Sequence, residues 1–254
     1  MPTTTRTATK GTRKTSKEIT RQSPSATTTN HNVDDVVVRL KRLGTKKQRD
    51  AMARYAIASD KAFGVSVANI RNIGKQLGRN HDLAQALWNT GWYEARMLAA
   101  FVDDPAHVTP AQMDRWCRDF DNWAITDTIC FHLFDRTPHA FAKVKAWSNR
   151  RNEFEKRAAF ALLASLGVHD KCASDESFAK CLPLIERAAI DERNFVKKGV
   201  SWALRVIGRR SKDLNRAAVA LSERLCASKN SSARWVARDA MKELTSPTVI
   251  RRLK

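Results

Sequence analysis

Long apolar runs are missing from this sequence. No stretch of about 18 hydrophobic residues occurs, so no membrane-spanning helix is expected. The basic N-terminus lacks the apolar segment of a secretory signal, and none is predicted. The phosphate-cradling GxGxxG and GxxxxGK[ST] loops and the zinc-binding HExxH sequence are also absent. The six histidines show no metal-ligand spacing, so we expect neither a metal nor a cofactor.

Cysteine pairs are missing too. The five cysteines are odd in number and none has CxxC spacing, which argues against a disulfide framework and against a zinc site. They are Cys117, Cys130, Cys172, Cys181 and Cys226. Cys130 lies in an apolar stretch and is predicted to be a small core residue. This usage fits a reducing interior, so we expect a cytoplasmic, nucleoid-associated protein.

Acidic residues are few. The chain has 26 Asp and Glu against 46 Lys and Arg, a formal net charge of +20. Charge of this sign and size favours a polyanionic partner, with nucleic acid first and an anionic membrane surface second. Basic residues spread along the whole chain do not make one amphipathic anchor, which weakens the membrane interpretation. We therefore expect a nucleic-acid partner and no membrane.

Residues 1–32 differ in composition from the rest. They are basic, rich in Thr and Ser, and nearly free of large apolar side chains. Such a segment cannot bury enough surface to offset chain entropy, so we predict that it is disordered. It is either a basic arm on a phosphate backbone or a solubilising leader, and the sequence favours neither. Residues 33–254 are predicted to form the folded domain.

The apolar residues of that domain follow a helical period. The 9 glycines and 7 prolines fall between the periodic stretches. Thr109 and Pro110 are typical of an N-cap and a first helical residue, and a Ser-Pro pair near the C-terminus repeats this start. Gly44 is placed to end the first helix. Because no alternating strand pattern occurs, we predict an all-α fold.

Four segments repeat one order of residues: an aromatic or small residue, then basic residues, then an Ala-rich apolar helix. They begin at Tyr93, Phe154, Phe195 and Ala233. The last three begin about 40 residues apart, a period typical of HEAT-like repeats that stack into a curved solenoid. A basic residue recurs in these segments as Arg96, Arg157 and Lys198. Stacking is predicted to align these charges in a stripe that holds a duplex backbone.

The seven tryptophans fall into two groups. Five are predicted to pack in the core or between repeats: Trp88, Trp92, Trp116, Trp147 and Trp235. Trp123 shares a helix face with Asp127, and Trp202 lies one turn beyond Lys198. An aromatic ring beside cations can stack on a sugar or base while the cations hold phosphates. A packing role for Trp123 and Trp202 is the alternative.

Asp127 also has two interpretations. In the first it pairs with an arginine of the next repeat, for which Arg157 is the natural candidate. In the second it carries chemistry. An aspartate in a strongly positive cleft lowers affinity for DNA, so we expect one there only if it has another role. A carboxylate can stabilise positive charge developing on a sugar ring and can orient a water. That is the chemistry of cutting an N-glycosidic bond.

Three segments, FDNWAITDTICFHLFDRTP, FEKRAAFALLASLGVHDK and DERNFVKKGVSWALRVIG, resemble the AlkD-type DNA alkylation repair proteins. The resemblance extends from about residue 43 to the C-terminus. It implies a HEAT-like solenoid that holds alkylated DNA in a concave groove. It also implies a DNA glycosylase that releases N3- and N7-alkylated purines such as 3-methyladenine and 7-methylguanine. The family's two cleft tryptophans, its aspartate and its arginine match Trp123, Trp202, Asp127 and Arg157.

The resemblance implies a role for each matched residue. Trp123 and Trp202 would pack on the deoxyribose, and Asp127 would stabilise its developing cation and position the attacking water. An alkylated purine is already a cationic leaving group, so no general acid is required and no base pocket is implied. The residues expected to contact DNA are Arg157, Lys197, Lys198, Arg96 and Tyr55, the last by a looser match.

Two positions depart from the family pattern. Active relatives often have a tryptophan before, and an aspartate after, the residue that matches Trp123; here these are Asn122 and Ala124. Because no lysine stands out as a nucleophile, we expect simple hydrolysis that leaves an abasic site. The expected partner is duplex DNA carrying alkylated purines, bound by a monomer. The alternative function is a non-catalytic HEAT-like scaffold that binds nucleic acid or an acidic protein.

Overall fold

The computed structural model describes residues 32–253, and its regular structure within this range is helical, so the predicted all-α fold is confirmed. The segment predicted to be disordered, residues 1–32, lies outside the described residues except for Asn32. None of the described helices combines the length and hydrophobicity that a membrane crossing requires. The helices are α1 (Val33–Leu43), α2 (Lys46–Met52), α3 (Val67–Leu77), α4 (His81–Asn89), α5 (Tyr93–Val102), α6 (Pro110–Arg118), α7 (Trp123–His132), α8 (Ala140–Trp147), α9 (Glu153–His169), α10 (Asp175–Ala179), α11 (Leu182–Ala188), α12 (Asn194–Ile207), α13 (Lys212–Cys226), α14 (Ser231–Leu244) and α15 (Pro247–Ile250).

Polar side chains fix where most of these helices start. At each such start a side-chain oxygen accepts a hydrogen bond from a backbone N–H of the first turn, a donor with no partner inside the helix. The residues are Asn32, Thr45, Ser66, Asn80, Thr109, Asn122, Asn152, Ser211, Asn230 and Ser246. Pro110 and Pro247 occupy the first turns that follow Thr109 and Ser246. The predicted starts of α6 and α15, and the end of α1 at Gly44, are confirmed.

The helices form two layers. In the site layer, α3, α5, α7, α9, α12 and α14 pack side by side in that order. In the backing layer, α4 packs on α5, α8 on α9, α11 on α12 and α13 on α14. The N-terminal turns of α7, α9 and α12 line one cleft, and the C-terminal turns of α3, α5 and α7 line another. Helices of the site layer therefore run parallel, as the repeated segments in α5, α9, α12 and α14 predict.

The core lies between the two layers and holds most of the tryptophans predicted to be there. Trp88 and Trp116 are fully buried and stack with ring centroids 4.1 Å apart. Trp147, also buried, donates from Nε1 to the Asp114 carboxylate at 2.8 Å. Cys130 is fully buried, as predicted. Trp235 was predicted to be a packing residue and is not: it is 36% exposed on α14.

A buried carboxylate fixes the loop between α2 and α3. Glu94 on α5 is fully buried and accepts hydrogen bonds from three consecutive backbone N–H groups. These are Phe63 at 2.9 Å, Gly64 at 2.7 Å and Val65 at 3.1 Å. Gly64 has φ +82°, and a Cβ there would lie 2.3 Å from the Thr45 carbonyl oxygen, so the turn requires glycine. The loop is thereby held against the site layer.

Candidate active site

A cleft of about 460 Å³ lies where the N-terminal turns of α7, α9 and α12 meet the 3₁₀ turn Ala53–Tyr55. We call it the Asp127 cleft. Its lining residues are Arg54, Tyr55, Ala56, Trp123, Asp127, Arg157, Asn194, Phe195 and Lys198. Five residues singled out in the sequence meet here: Tyr55, Trp123, Asp127, Arg157 and Lys198. They come from four separate stretches of chain, which only the stacking of repeats brings together.

Helix α7 places Trp123 and Asp127 on the cleft wall. Asn122 sets the start of this helix, because its side-chain oxygen accepts a hydrogen bond from the Ile125 N–H at 3.0 Å. Ala124 is buried in a small cluster with Met52, Ile57 and Ala62. The two departures from the family pattern, Asn122 and Ala124, therefore have structural roles beside the cleft. The four-residue spacing puts Trp123 and Asp127 on the same face, as expected.

Asp127 pairs with Arg157. Arg157 Nε donates to Oδ1 at 2.9 Å and Nη2 donates to Oδ2 at 2.7 Å. Nη1 donates to the Phe195 carbonyl at 2.7 Å. The Arg157 side chain is 8% exposed, whereas that of Asp127 is 20% exposed. The arginine is thus largely enclosed and oriented, and Asp127 is the more accessible partner at the cleft.

The environment of Asp127 acts on its ionisation in two directions. Burial raises the pKa of Asp127 above its usual value, while the charge of Arg157 and its hydrogen bonds oppose that rise. A bidentate guanidinium stabilises the ionised carboxylate more strongly than a single neutral donor does. The pairing with Arg157 therefore offsets part of the cost that burial places on the ionised carboxylate.

Trp123 holds the part of the cleft wall that is formed by the Ala53–Tyr55 turn. Its indole Nε1 donates to the Tyr55 carbonyl oxygen at 2.7 Å. Tyr55 itself is 62% exposed, and the next residue, Ala56, has φ +53°. A left-handed alanine is uncommon and persists only where surrounding contacts hold it. Trp123 therefore shapes the cleft as well as lining it.

The predicted stripe of Arg96, Arg157 and Lys198 is not a row of free charges. Lys198 is exposed at the Asp127 cleft, but Arg157 is buried in its pair with Asp127. Arg96 lies in a separate cleft of about 400 Å³ and holds its guanidinium 5.0 Å from the Trp88 ring. Charge at corresponding helical positions was visible in the sequence, but the partners that each cation meets were not.

The remaining predicted residues lie beyond the Asp127 cleft lining. Trp202 is half-buried on α12, where it stacks with Phe131 at a centroid distance of 6.5 Å. Phe131 is four residues beyond Asp127 on α7. Trp202 therefore lies about one helical turn from Asp127, measured along the helix axes. Lys197 is half-buried and places Nζ 5.3 Å from the Trp235 ring. Neither is brought into contact with Asp127.

Sequence reasoning missed part of the cleft. Arg54, Asn194 and Phe195 line it, and none was selected. Arg54 is exposed and adds a second cation beside Lys198. Its position next to Tyr55 was the available signal. Glu94 was also missed, because only the structure shows that its carboxylate holds the loop behind the cleft wall.

The residues 32–253 contain no group of three His, Cys, Asp or Glu side chains that could hold a metal ion. Their five cysteines are free thiols, and three of them are buried.

A family model for DNA alkylation repair enzymes matches residues 36–244. No curated protein matches the sequence significantly.

Solved structures give a second comparison. One belongs to a family of proteins related to the HEAT-like repeat DNA glycosylases with affinity for branched DNA structures. It is 18% identical in sequence, with a TM-score of 0.70, and the match covers 84% of this chain and 96% of that one. At this identity the likeness shows the fold. An engineered protein matches at 12% identity with a TM-score of 0.38, over 82% of this chain and 96% of its own, which carries no argument.

Proposed function

The chain belongs to the DNA alkylation repair enzymes, and on that premise we propose that it is a monofunctional DNA glycosylase. Its substrate is an N3- or N7-alkylated purine in duplex DNA, such as 3-methyladenine or 7-methylguanine. Its reaction is hydrolysis of the N-glycosidic bond, which leaves an abasic site. The observation that carries this proposal is the placement of Trp123 and an arginine-held Asp127 on the wall of one cleft.

The leaving group sets what the cleft has to do. An alkylated purine carries a positive charge, so it departs with the bonding electron pair as a neutral base. Positive charge then develops on the deoxyribose at C1′. A water molecule attacks C1′ and loses a proton, and the sugar hydroxyl of an abasic site results. The protein must stabilise a sugar cation and place a water, and it need not protonate the base.

Asp127 meets both requirements. Each carboxylate oxygen can accept about two hydrogen bonds, and Arg157 uses one on each. The remaining capacity faces the cleft and can accept from the attacking water while the charge acts on the sugar cation. A fixed carboxylate costs little reorganisation at the moment of reaction, which is the source of its effect.

Arg157 is a positioning residue in this mechanism. Two of its nitrogens hold Asp127 and the third is bound to the Phe195 carbonyl, which fixes the guanidinium between α7 and α12. This differs from phosphate binding, the role the family resemblance suggested for it. Phosphate contact falls instead to the exposed cations of the cleft, Lys198 and Arg54.

The aromatic residues divide between two roles. Trp123 offers its ring to the deoxyribose from within the cleft, where cation–π attraction favours the developing charge. Trp202, one turn further along the site layer, contacts the adjoining sugar-phosphate. Lys197, Arg96 and Tyr55 extend the DNA contact beyond the reacting sugar.

A second candidate function is binding of branched DNA without base excision. The structurally similar protein belongs to a family with affinity for such DNA. The Asp127–Arg157 pair would then be a structural link between repeats. In this case the basic surface alone would explain binding, and the carboxylate would have no reacting partner.

Base release separates these functions. Purified protein is incubated with genomic DNA treated with a methylating agent, and free 7-methylguanine and 3-methyladenine are quantified. The proposed glycosylase releases one or both above the level of spontaneous depurination and leaves heat-labile abasic sites. Binding of a four-way junction with no base released from any methylated substrate would support the second candidate and overturn the first.

A further inference from the structure

A cleft of about 380 Å³ lies at the other edge of the site layer, where the C-terminal turns of α3, α5 and α7 meet. We call it the Arg71 cleft. Its lining residues are Arg71, Gly74, Lys75, Gly78, Arg79, Phe101 and His132. Among these described residues there are three cations and no carboxylate. None of them belongs to the Asp127 cleft or to the predicted DNA-binding residues.

The three cations project from one side of α3 and its end. Arg71, Lys75 and Arg79 are four residues apart and all are exposed. Arg71 and Lys75 lie on α3, where four residues rise about 6 Å, and Arg79 follows the C-cap Gly78. Gly74 allows α3 to approach α5, because a Cβ there would lie 2.7 Å from the Phe101 Cβ. The Phe101 ring then backs the row, 5.6 Å from the Arg71 guanidinium carbon.

The partners of these cations within residues 32–253 are uncharged. Arg71 Nη2 lies 3.0 Å from His132 Nε2, which accepts its hydrogen bond. Arg79 Nη1 donates to the backbone carbonyls of Phe101 and Asp103. None of the three cations forms an ion pair with a carboxylate in this range. Arg79 lies close enough to Asp104 to help lower the pKa of that carboxyl, whereas Arg71 and Lys75 form no ion pair among the described residues. Burial together with Arg71 and Arg136 lowers the pKa of His132 to about 4.

We propose that the Arg71 cleft binds the phosphodiester backbone of the DNA duplex whose damaged nucleotide lies in the Asp127 cleft; this rests on the proposed function. Helix α7 joins the two sites: from Asp127 to His132 it rises about 7.5 Å. This separation along the helix axis is within the span of one duplex. A row of cations with no carboxylate among its lining residues fits a polyanion better than a single small anion.

The alternative explanation is local stabilisation of α3. Cations in a last helical turn interact favourably with the helix dipole. This accounts for Lys75 in the last turn of α3, and a similar role accounts for Arg79, which donates to carbonyls at the end of α5. It does not account for Arg71, which lies two turns before the C-cap Gly78 and faces the same cleft.

The salt dependence of DNA affinity tests the proposal. The variant is Arg71→Gln with Lys75→Gln, and the matched control is Lys145→Gln with Arg187→Gln, two exposed cations on α8 and α11 of the backing layer. Affinity for a duplex carrying 7-methylguanine is measured from about 50 to about 200 mM salt. Base release at saturating DNA is measured on the same preparations, with melting temperatures.

We expect the slope of log K against log salt to become shallower by about 2 in the test variant, because each lost phosphate contact removes about 0.9. The control keeps the wild-type slope, and base release at saturating DNA stays at the wild-type rate in both. Lys75→Gln alone, at a side chain with no partner among the described residues, should remove about 0.9. This single variant keeps the test valid if the double variant folds poorly.

A test-variant slope equal to that of the control overturns the proposal. If the test variant shows the shallower slope but wild-type protein releases no base, the proposed function fails and the Arg71 cleft stands. If wild-type protein does not bind duplex DNA, both fail.

Discussion

Arg157 and Asp127 face each other across the boundary between two repeats, joined by two hydrogen bonds of 2.9 Å and 2.7 Å. The third nitrogen of Arg157 is held by the Phe195 carbonyl at 2.7 Å. Helices α7, α9 and α12 thus meet in one charged link. Both residues line the cleft, and the Asp127 side chain is the more exposed of the two.

Arg157→Lys should impair chemistry more than binding. A lysine keeps the charge but cannot meet both carboxylate oxygens in the same plane. Loss of a charged hydrogen bond of about 1.5–3 kcal/mol corresponds to roughly a 10- to 100-fold slower base release. Single-turnover kinetics on a 7-methylguanine duplex gives the rate, and the salt slope should match wild type. A shallower slope with a normal rate would show that Arg157 contacts phosphate.

Lys198→Gln should impair binding more than chemistry. Lys198 is exposed at the Asp127 cleft and is placed to meet a phosphate. Its loss should make the slope of log K against log salt shallower by about 0.9 and leave base release at saturating DNA nearly unchanged. Lys145→Gln on α8 is the matched control. Equal salt slopes in the two variants would remove Lys198 from the DNA contact.

Trp123→Phe tests whether the indole N–H holds the cleft wall. The variant keeps an aromatic ring but loses the hydrogen bond to the Tyr55 carbonyl, which contributes about 0.5–1.5 kcal/mol. The backbone amides of Ala56 and Ile57, bonded to Ala53 and Met52, should then exchange with deuterium up to about tenfold faster. Trp202→Phe, on α12, should leave these amides unchanged. Unchanged exchange in Trp123→Phe would mean that other contacts hold the wall.

His132 should make the folded state sensitive to acid. Burial, with the positive charges of Arg71 and Arg136, lowers its pKa to about 4. In the unfolded chain a histidine titrates near about 6.5, so between these values the unfolded state binds a proton that the folded state does not. The free energy of unfolding is therefore full above about pH 6.5 and falls as the pH drops toward about 4.

His132→Gln keeps an acceptor for Arg71 and removes the titration. Urea unfolding at about pH 7.5 and about pH 5 should show that wild-type protein loses more stability than this variant. Equal losses would place the acid sensitivity elsewhere in the chain.

The sequence predicted the scaffold well because its signals are local. Thr109 before Pro110, and Ser246 before Pro247, place helix starts through backbone donors a few residues away. The recurring Ala-rich segments predicted that α5, α9, α12 and α14 share a layer, because each repeat buries the same face against its neighbour. The four-residue spacing of Trp123 and Asp127 likewise predicted that both would face one way.

Features that depend on contacts between distant residues were not predictable. Trp235 was assigned to packing because tryptophan is usually a packing residue. It is exposed, with Lys197 over its ring, because α14 is the last helix of the site layer. Glu94 holds a loop about 30 residues away in sequence through three backbone N–H groups, a pattern no spacing rule contains. Arg96, Arg157 and Lys198 occupy corresponding positions but differ in burial and in contacts, because each repeat offers its cation different partners.

The central claim is that Asp127 carries chemistry, and Asp127→Asn tests it most directly. Asparagine has the same shape and keeps one oxygen acceptor for Arg157, but the negative charge is gone. Some stability should be lost, because Arg157 stays buried without its counter-charge. Single-turnover release of 7-methylguanine is therefore expressed per folded molecule, with melting temperature and DNA affinity measured on the same preparation. We predict a fall of about 10²-fold or more with affinity held or slightly increased, since a preorganised electrostatic contact of ~3 kcal/mol is removed. A lower melting temperature with near-normal release per folded molecule would contradict the claim and leave Asp127 as the structural partner of Arg157.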